Sequence, residues 1–83
     1  MDIYDFELLV INILDEEFDL DPAILSATSN LRKDCGLDDV EVLEFLQKVE
    51  QSFRISIPPM EEADMQTVGD VAAFIQRHQS ESD

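Results

Sequence analysis

The sequence predicts an all-α domain, a four-helix bundle in which one helix is short. Three observations carry that expectation. Apolar residues recur at helical rather than alternating spacing, prolines and polar clusters separate the helical stretches, and no strand pattern competes. The 83 residues make a single domain, 1–83. A chain of this size buries only about 60% of its unfolded surface, so modest stability and no internal cavity of enzyme size are expected.

Each element has its own signal. Residues 2–17 set Ile3, Phe6, Val10, Ile13 and Leu14 on one helical face, and Leu9 and Phe18 widen or extend it. Residues 19–33 form a long connection, with Asp21-Pro22 as a turn or short helical start and 26–30 as a polar loop. A second helix runs from 39 or 40 to 53 and turns Val42, Leu46, Val49 and Phe53 inward. Pro58-Pro59 stops anything helical before it, because proline disfavours helical geometry in the preceding residue. A short helix follows around 60–63, and Met60 and Met65 are expected to cover the open edge of the bundle. The last helix has Thr67 as its N-cap and buries Val68, Val71, Ala72 and Ile75. A disordered tail is expected over about 79–83.

Charge bounds the partners. Twenty acidic against five basic residues give a formal net charge of −15. Nucleic acid and anionic membrane surfaces present phosphates, which need a basic patch, so neither is an expected partner. A protein with a basic surface is. The apolar fraction of 45% falls in periodic stripes, which argues for a folded chain rather than a disordered acidic one. One cysteine permits no internal disulfide and suits a reducing compartment. The start Met1-Asp2-Ile3-Tyr4-Asp5 lacks a secretory leader pattern, and no apolar run approaches a membrane span. A cytoplasmic monomer is the expectation.

The run Asp34-Cys35-Gly36-Leu37-Asp38-Asp39-Val40-Glu41 carries a resemblance. It is similar to the phosphopantetheine attachment loop of acyl carrier proteins, which reads Asp-Leu-Gly-x-Asp-Ser-Leu. Other segments follow the same family in order. Val40-Glu41-Val42-Leu43-Glu44-Phe45 matches the apolar and acidic pattern of its second helix. Phe53-Arg54-Ile55-Ser56-Ile57-Pro58 resembles the Phe-x-x-x-Ile-Pro exit from that helix. Thr67-Val68-Gly69-Asp70-Val71 and Phe74-Ile75 resemble the start and close of the last one. Asp15-Glu16-Glu17-Phe18 before Asp21-Pro22 resembles the end of the first. The resemblance implies an acyl-carrier-protein-like bundle working in a fatty acid or polyketide type of pathway.

Position 39 departs from the pattern. In the family a serine there takes 4'-phosphopantetheine as a phosphodiester, and the arm carries acyl groups as thioesters. Asp39 has no hydroxyl to give, so the resemblance implies a degenerate attachment position and no prosthetic group. With serine at 39, 4'-phosphopantetheine would be the cofactor. Asp39 is expected to cap the second helix instead, with its charge favoured by the helix dipole by roughly 0.3–1 kcal/mol. A second reading has that charge imitate the phosphodiester of a loaded carrier.

The exposed side of the second helix supplies the other candidates. Glu41, Glu44, Lys48 and Gln51 share a stripe, with Gln47 and Glu50 nearby. A solvated helix face explains such a stripe on its own. The family resemblance implies more, a docking surface for synthase or acyl-transfer enzymes built from Asp38, Val40, Glu41, Glu44, Gln47 and Lys48. Glu41 and Glu44 match the family's acids. Lys48 and Gln47 stand where it has small or apolar residues, and Val40 replaces its leucine.

Enzyme chemistry finds no footing. One cysteine and one histidine make neither a zinc set nor a serine–histidine–acid set. Cys35 stands where the family has leucine and reads as a small core residue. His78 sits near a helix C-terminus, where a cation favours the dipole. Asp34, Asp38, Asp39 and Glu41 form an acidic cluster whose spacing fails the calcium-loop pattern, so no metal is expected. Three readings stay open. The chain is a carrier-like protein that has lost its arm and docks partners, a genuine carrier whose serine is substituted in this copy, or an acidic helical adaptor unrelated to acyl chemistry.

Overall fold

The computed structural model describes residues 2–81, and they form the expected helical bundle. The helices are α1 (Ile3–Phe18), α2 (Asp39–Phe53), the short α3 (Pro59–Glu62) and α4 (Val68–Glu81), with a 3-10 turn at Pro22–Ile24. No strand occurs among the described residues, only an isolated bridge between Asn30 and Thr67.

α1 packs against α4 and α2, and one continuous core joins them. Phe45, Phe74, Leu14, Leu31 and Ile75 are its largest fully buried side chains. Val42, Leu46 and Val49 of α2 turn inward as the spacing predicts. Phe53 is only half-buried, its ring tilted against Phe6 at 6.4 Å. Ile3 and Phe18 are likewise partly buried at the ends of α1, while Ile11 is buried beside Val10.

Both long helices before α3 end in left-handed residues, Asp19 after α1 (φ 57°) and Arg54 after α2 (φ 55°). That conformation costs a non-glycine residue roughly 1–2 kcal/mol, so packing rather than propensity sets these two stops. Asp15, Glu16 and Glu17 also crowd the negative end of the α1 dipole, an unfavourable arrangement. Lys48 of α2 relieves part of it by pairing with Glu17 at 3.3 Å.

The long connection is tied to the start of α4. Val68 N–H donates to the Ser29 carbonyl (3.1 Å), Gly69 N–H to Ala27 (2.8 Å), and Leu31 N–H to Gln66 (2.8 Å). Donors that a helix N-terminus leaves unpaired are satisfied by loop carbonyls. Gly69 eases that approach, because a Cβ there would lie 3.0 Å from the Ala27 carbonyl oxygen, tighter than ordinary van der Waals contact. Thr67 caps α4 as expected. Its Oγ1 accepts from Asp70 N–H (3.1 Å) while the Asp70 carboxylate accepts from Thr67 N–H (3.1 Å), a reciprocal capping box.

One expectation is corrected here. Met65 is buried, but Met60 is 80% exposed and covers nothing, because α3 turns it outward. α4 runs through Glu81, and Gln79 Nε2 donates to the Phe53 carbonyl at 3.0 Å. Of the tail expected over about 79–83, residues 82–83 lie outside the described residues.

Candidate functional site

The loop that leads into α2 is organised by Asn30. Its side-chain oxygen accepts from Arg32 N–H and Lys33 N–H, both at 2.9 Å, as asparagine does when it folds its own turn. Its carbonyl accepts from Asp34 N–H (2.9 Å) and Cys35 N–H (3.0 Å), and its own N–H donates to Asp34 Oδ2 (2.7 Å). Gly36 then takes a left-handed φ of 74°. Space is open around it, so the backbone conformation and not crowding asks for glycine. That turn sends Leu37 into the core and leaves Asp38 at the head of α2.

Asp38, not Asp39, caps the helix. Asp38 Oδ1 accepts from Glu41 N–H at 2.8 Å, and Glu41 Oε1 accepts from Asp38 N–H at 3.1 Å. This reciprocal box satisfies two backbone donors at once. Asp38 has the extended backbone that an N-cap requires (φ −86°, ψ 179°), whereas Asp39 is already helical. The capping role assigned to Asp39 from sequence is therefore off by one residue.

Asp39 does something else. Its Oδ1 accepts from Arg32 Nε at 2.9 Å, across the turn that Asn30 builds. The pair is exposed, with side chains 46% (Arg32) and 86% (Asp39) accessible. Asp39 still lies in the first turn of α2, where a negative charge suits the dipole. The acidic cluster is thus divided rather than pooled. Asp34 bonds Asn30, Asp38 and Glu41 bond each other, and Asp39 bonds Arg32. No group of three or more metal-ligating side chains occurs among the described residues.

Cys35 is buried beside this loop. Burial raises its thiol pKa, and the charge of Asp34 raises it further. Both effects disfavour the thiolate, the reactive form.

Along α2, the candidate docking residues divide by what already holds them. Glu41 is half-buried and committed to the capping box, and Lys48 is paired with Glu17. Val40 (63% accessible), Glu44 and Gln47 face outward. Leu43 is also exposed and stands three residues from Val40, so it shares that outward surface. The sequence reading missed Leu43 as a surface residue, although its spacing from Val40 is the signal. Glu50, read there as part of the charged side, instead accepts from Ile57 N–H at 2.8 Å and fixes the turn toward α3.

Comparison with known proteins is consistent with this architecture. Residues 9–75 match the family described as phosphopantetheine attachment site. An acyl carrier protein of Wolinella succinogenes is 33% identical over 61 residues, covering 74% of this chain and 80% of the relative. One from Lactobacillus acidophilus is 28% identical over 68 residues, 82% of this chain and 85% of the relative. One from Syntrophobacter fumaroxidans is 22% identical over 80 residues, 96% and 99% of the two chains.

Proposed function

The chain belongs to the acyl carrier protein family, the phosphopantetheine-attachment proteins, and from that membership we propose that it docks carrier-protein partners without carrying the prosthetic arm. The observation behind this reading is Asp39, a carboxylate at the head of α2. Attachment needs a hydroxyl whose oxygen becomes part of a phosphodiester. A carboxylate would give an acyl phosphate, which water cleaves readily. Asp39 Oδ1 is also occupied by Arg32. The residues present do not fit 4'-phosphopantetheine.

What the chain keeps is a surface. Val40 and Leu43 supply apolar area, Glu44 supplies charge, and Gln47 extends the same side of α2. A partner with a basic rim around an apolar cleft complements it. Synthase and acyl-transfer enzymes of fatty acid or polyketide assembly are the partner class, and a cytoplasmic monomer is the working form. No helix among the described residues is long and apolar enough to cross a membrane.

Intact mass after incubation with coenzyme A and a promiscuous phosphopantetheinyl transferase tests the reading. The original chain should stay unmodified while Asp39→Ser gains the arm. An arm on the original chain would overturn the proposal. Failure of both would extend the loss from one residue to the loading surface around it.

A further inference from the structure

The side of α1 next to the long connection is apolar and uncovered. Tyr4 and Leu8 stand one helical turn apart and are 71% and 60% accessible. With buried Ile11 and Leu25 beneath them and Ala27 and Thr28 alongside, they line an open groove of about 530 Å³. A single exposed leucine is ordinary. An exposed tyrosine and leucine at i, i+4 beside a groove form a contiguous apolar surface, of the kind that marks an interaction site. Tyrosine adds a rigid, amphipathic contact suited to an interface.

Charge narrows the occupant. Residues 1–31 contain eight acidic side chains and no lysine or arginine. Glu7 lines the groove itself, and the two ion pairs among the described residues lie elsewhere, at Arg32–Asp39 and Glu17–Lys48. A second copy of a chain with net charge −15 would bring like charge to like. An anionic lipid surface would do the same. A basic helix complements both the apolar pair and the uncompensated acid.

We propose that this groove docks an amphipathic helix of a partner protein. Apolar residues of that helix at i and i+4 seat against Tyr4 and Leu8, and lysines or arginines on its flank face Glu7. The mode is helix-in-groove recognition. It uses a different helix from the α2 surface proposed above and does not depend on it.

A labelled peptide of about 18 residues, long enough to hold a helix, supplies the probe. It carries leucines at i, i+4 and flanking lysines, and its control replaces the leucines with serine at the same charge. Fluorescence anisotropy is measured with the intact chain, with Tyr4→Ser plus Leu8→Ser, with Glu7→Lys, and with Glu44→Lys. Amide shifts in ¹⁵N spectra locate the contact. The α1 pair and Glu7→Lys should each weaken binding about tenfold or more, with Glu44→Lys changing it less than about twofold. Shifts should fall on residues around Tyr4, Leu8 and Ala27. Tyr4 and Leu8 are exposed, so their substitution should leave helical circular dichroism unchanged. Equal binding of the serine control, loss of binding only in Glu44→Lys, or shifts confined to α2 would each overturn the proposal.

Discussion

Replacing Asp38 and Asp39 separately by alanine tests which residue starts α2. Asp38→Ala removes the acceptor of the 2.8 Å bond from Glu41 N–H. Loss of an N-cap costs about 0.5–2 kcal/mol, typically near 1. For a domain of this size, 1 kcal/mol moves Tm by roughly 4–8 °C. Asp39→Ala removes an ion pair whose two side chains are 46% and 86% accessible. Solvent screening holds such pairs to about 0–1 kcal/mol, and its dipole contribution is similarly small.

Salt and a conservative variant separate the two mechanisms. The loss in Asp39→Ala should shrink toward zero at about 0.5 M salt, because it is Coulombic between exposed groups. The loss in Asp38→Ala should largely persist, because it is a hydrogen bond to a helix end. Asp38→Asn should recover most of it, since asparagine caps about as well as aspartate. Thermal and urea unfolding, followed by circular dichroism, read all four proteins. A loss in Asp39→Ala equal to that of Asp38→Ala at high salt would refute the assignment. So would an Asp38→Asn protein as unstable as the alanine variant.

Three other outcomes are expected. Gly69→Ala should destabilise by about 1 kcal/mol in urea unfolding, because overpacking of roughly 1–3 kcal/mol against the Ala27 carbonyl exceeds alanine's helix advantage of up to ~1. The Cys35 thiol has a folded pKa above its ordinary value of 9.0, so it favours folding below that pH and the contribution is lost as pH rises through the folded pKa. Alkylation by iodoacetamide near pH 8.5 should therefore be slower than for a free thiol and accelerate on adding urea; equal rates would count against burial as the cause. Val40→Ser and Glu44→Lys should each weaken a basic carrier-protein partner in calorimetry, the Glu44→Lys effect fading with salt, whereas unchanged affinity in both would move docking off α2.

Much of the bundle was legible because its signals are local. Pro58-Pro59 and Thr67 each act within a few residues of where they stand, and each sits where those rules put it. The start of α2 misled by one residue because Asp38 and Asp39 are the same residue type with the same capping preference. Only backbone geometry, extended at 38 and helical at 39, tells them apart. Arg32 was illegible for another reason. Seven residues separate it from Asp39, and the turn that brings them together depends on Asn30 folding its own loop. Met60 and Leu43 show that apolar character alone does not decide burial. Neighbouring elements must supply a surface to cover it, and here they do not.

The Arg32 contact also favours one of the two readings of Asp39 proposed from the sequence. A carboxylate that imitates a phosphodiester must project a net negative charge toward a partner. Asp39 shares its charge with a guanidinium 2.9 Å away. Beyond the screening length of about 8 Å, such a pair presents little net charge, only a weak dipole. The negative field along α2 then comes from Asp38, Glu41 and Glu44, because the backbone N–H groups that Asp38 and Glu41 accept from leave their charges in place. A partner that docks as proposed would meet apolar Val40 and Leu43 beside these acids, with the charge of Asp39 itself largely offset by Arg32. On the proposed reading, Asp39 closes the attachment position rather than imitating its loaded form, and docking is carried by the helix behind it.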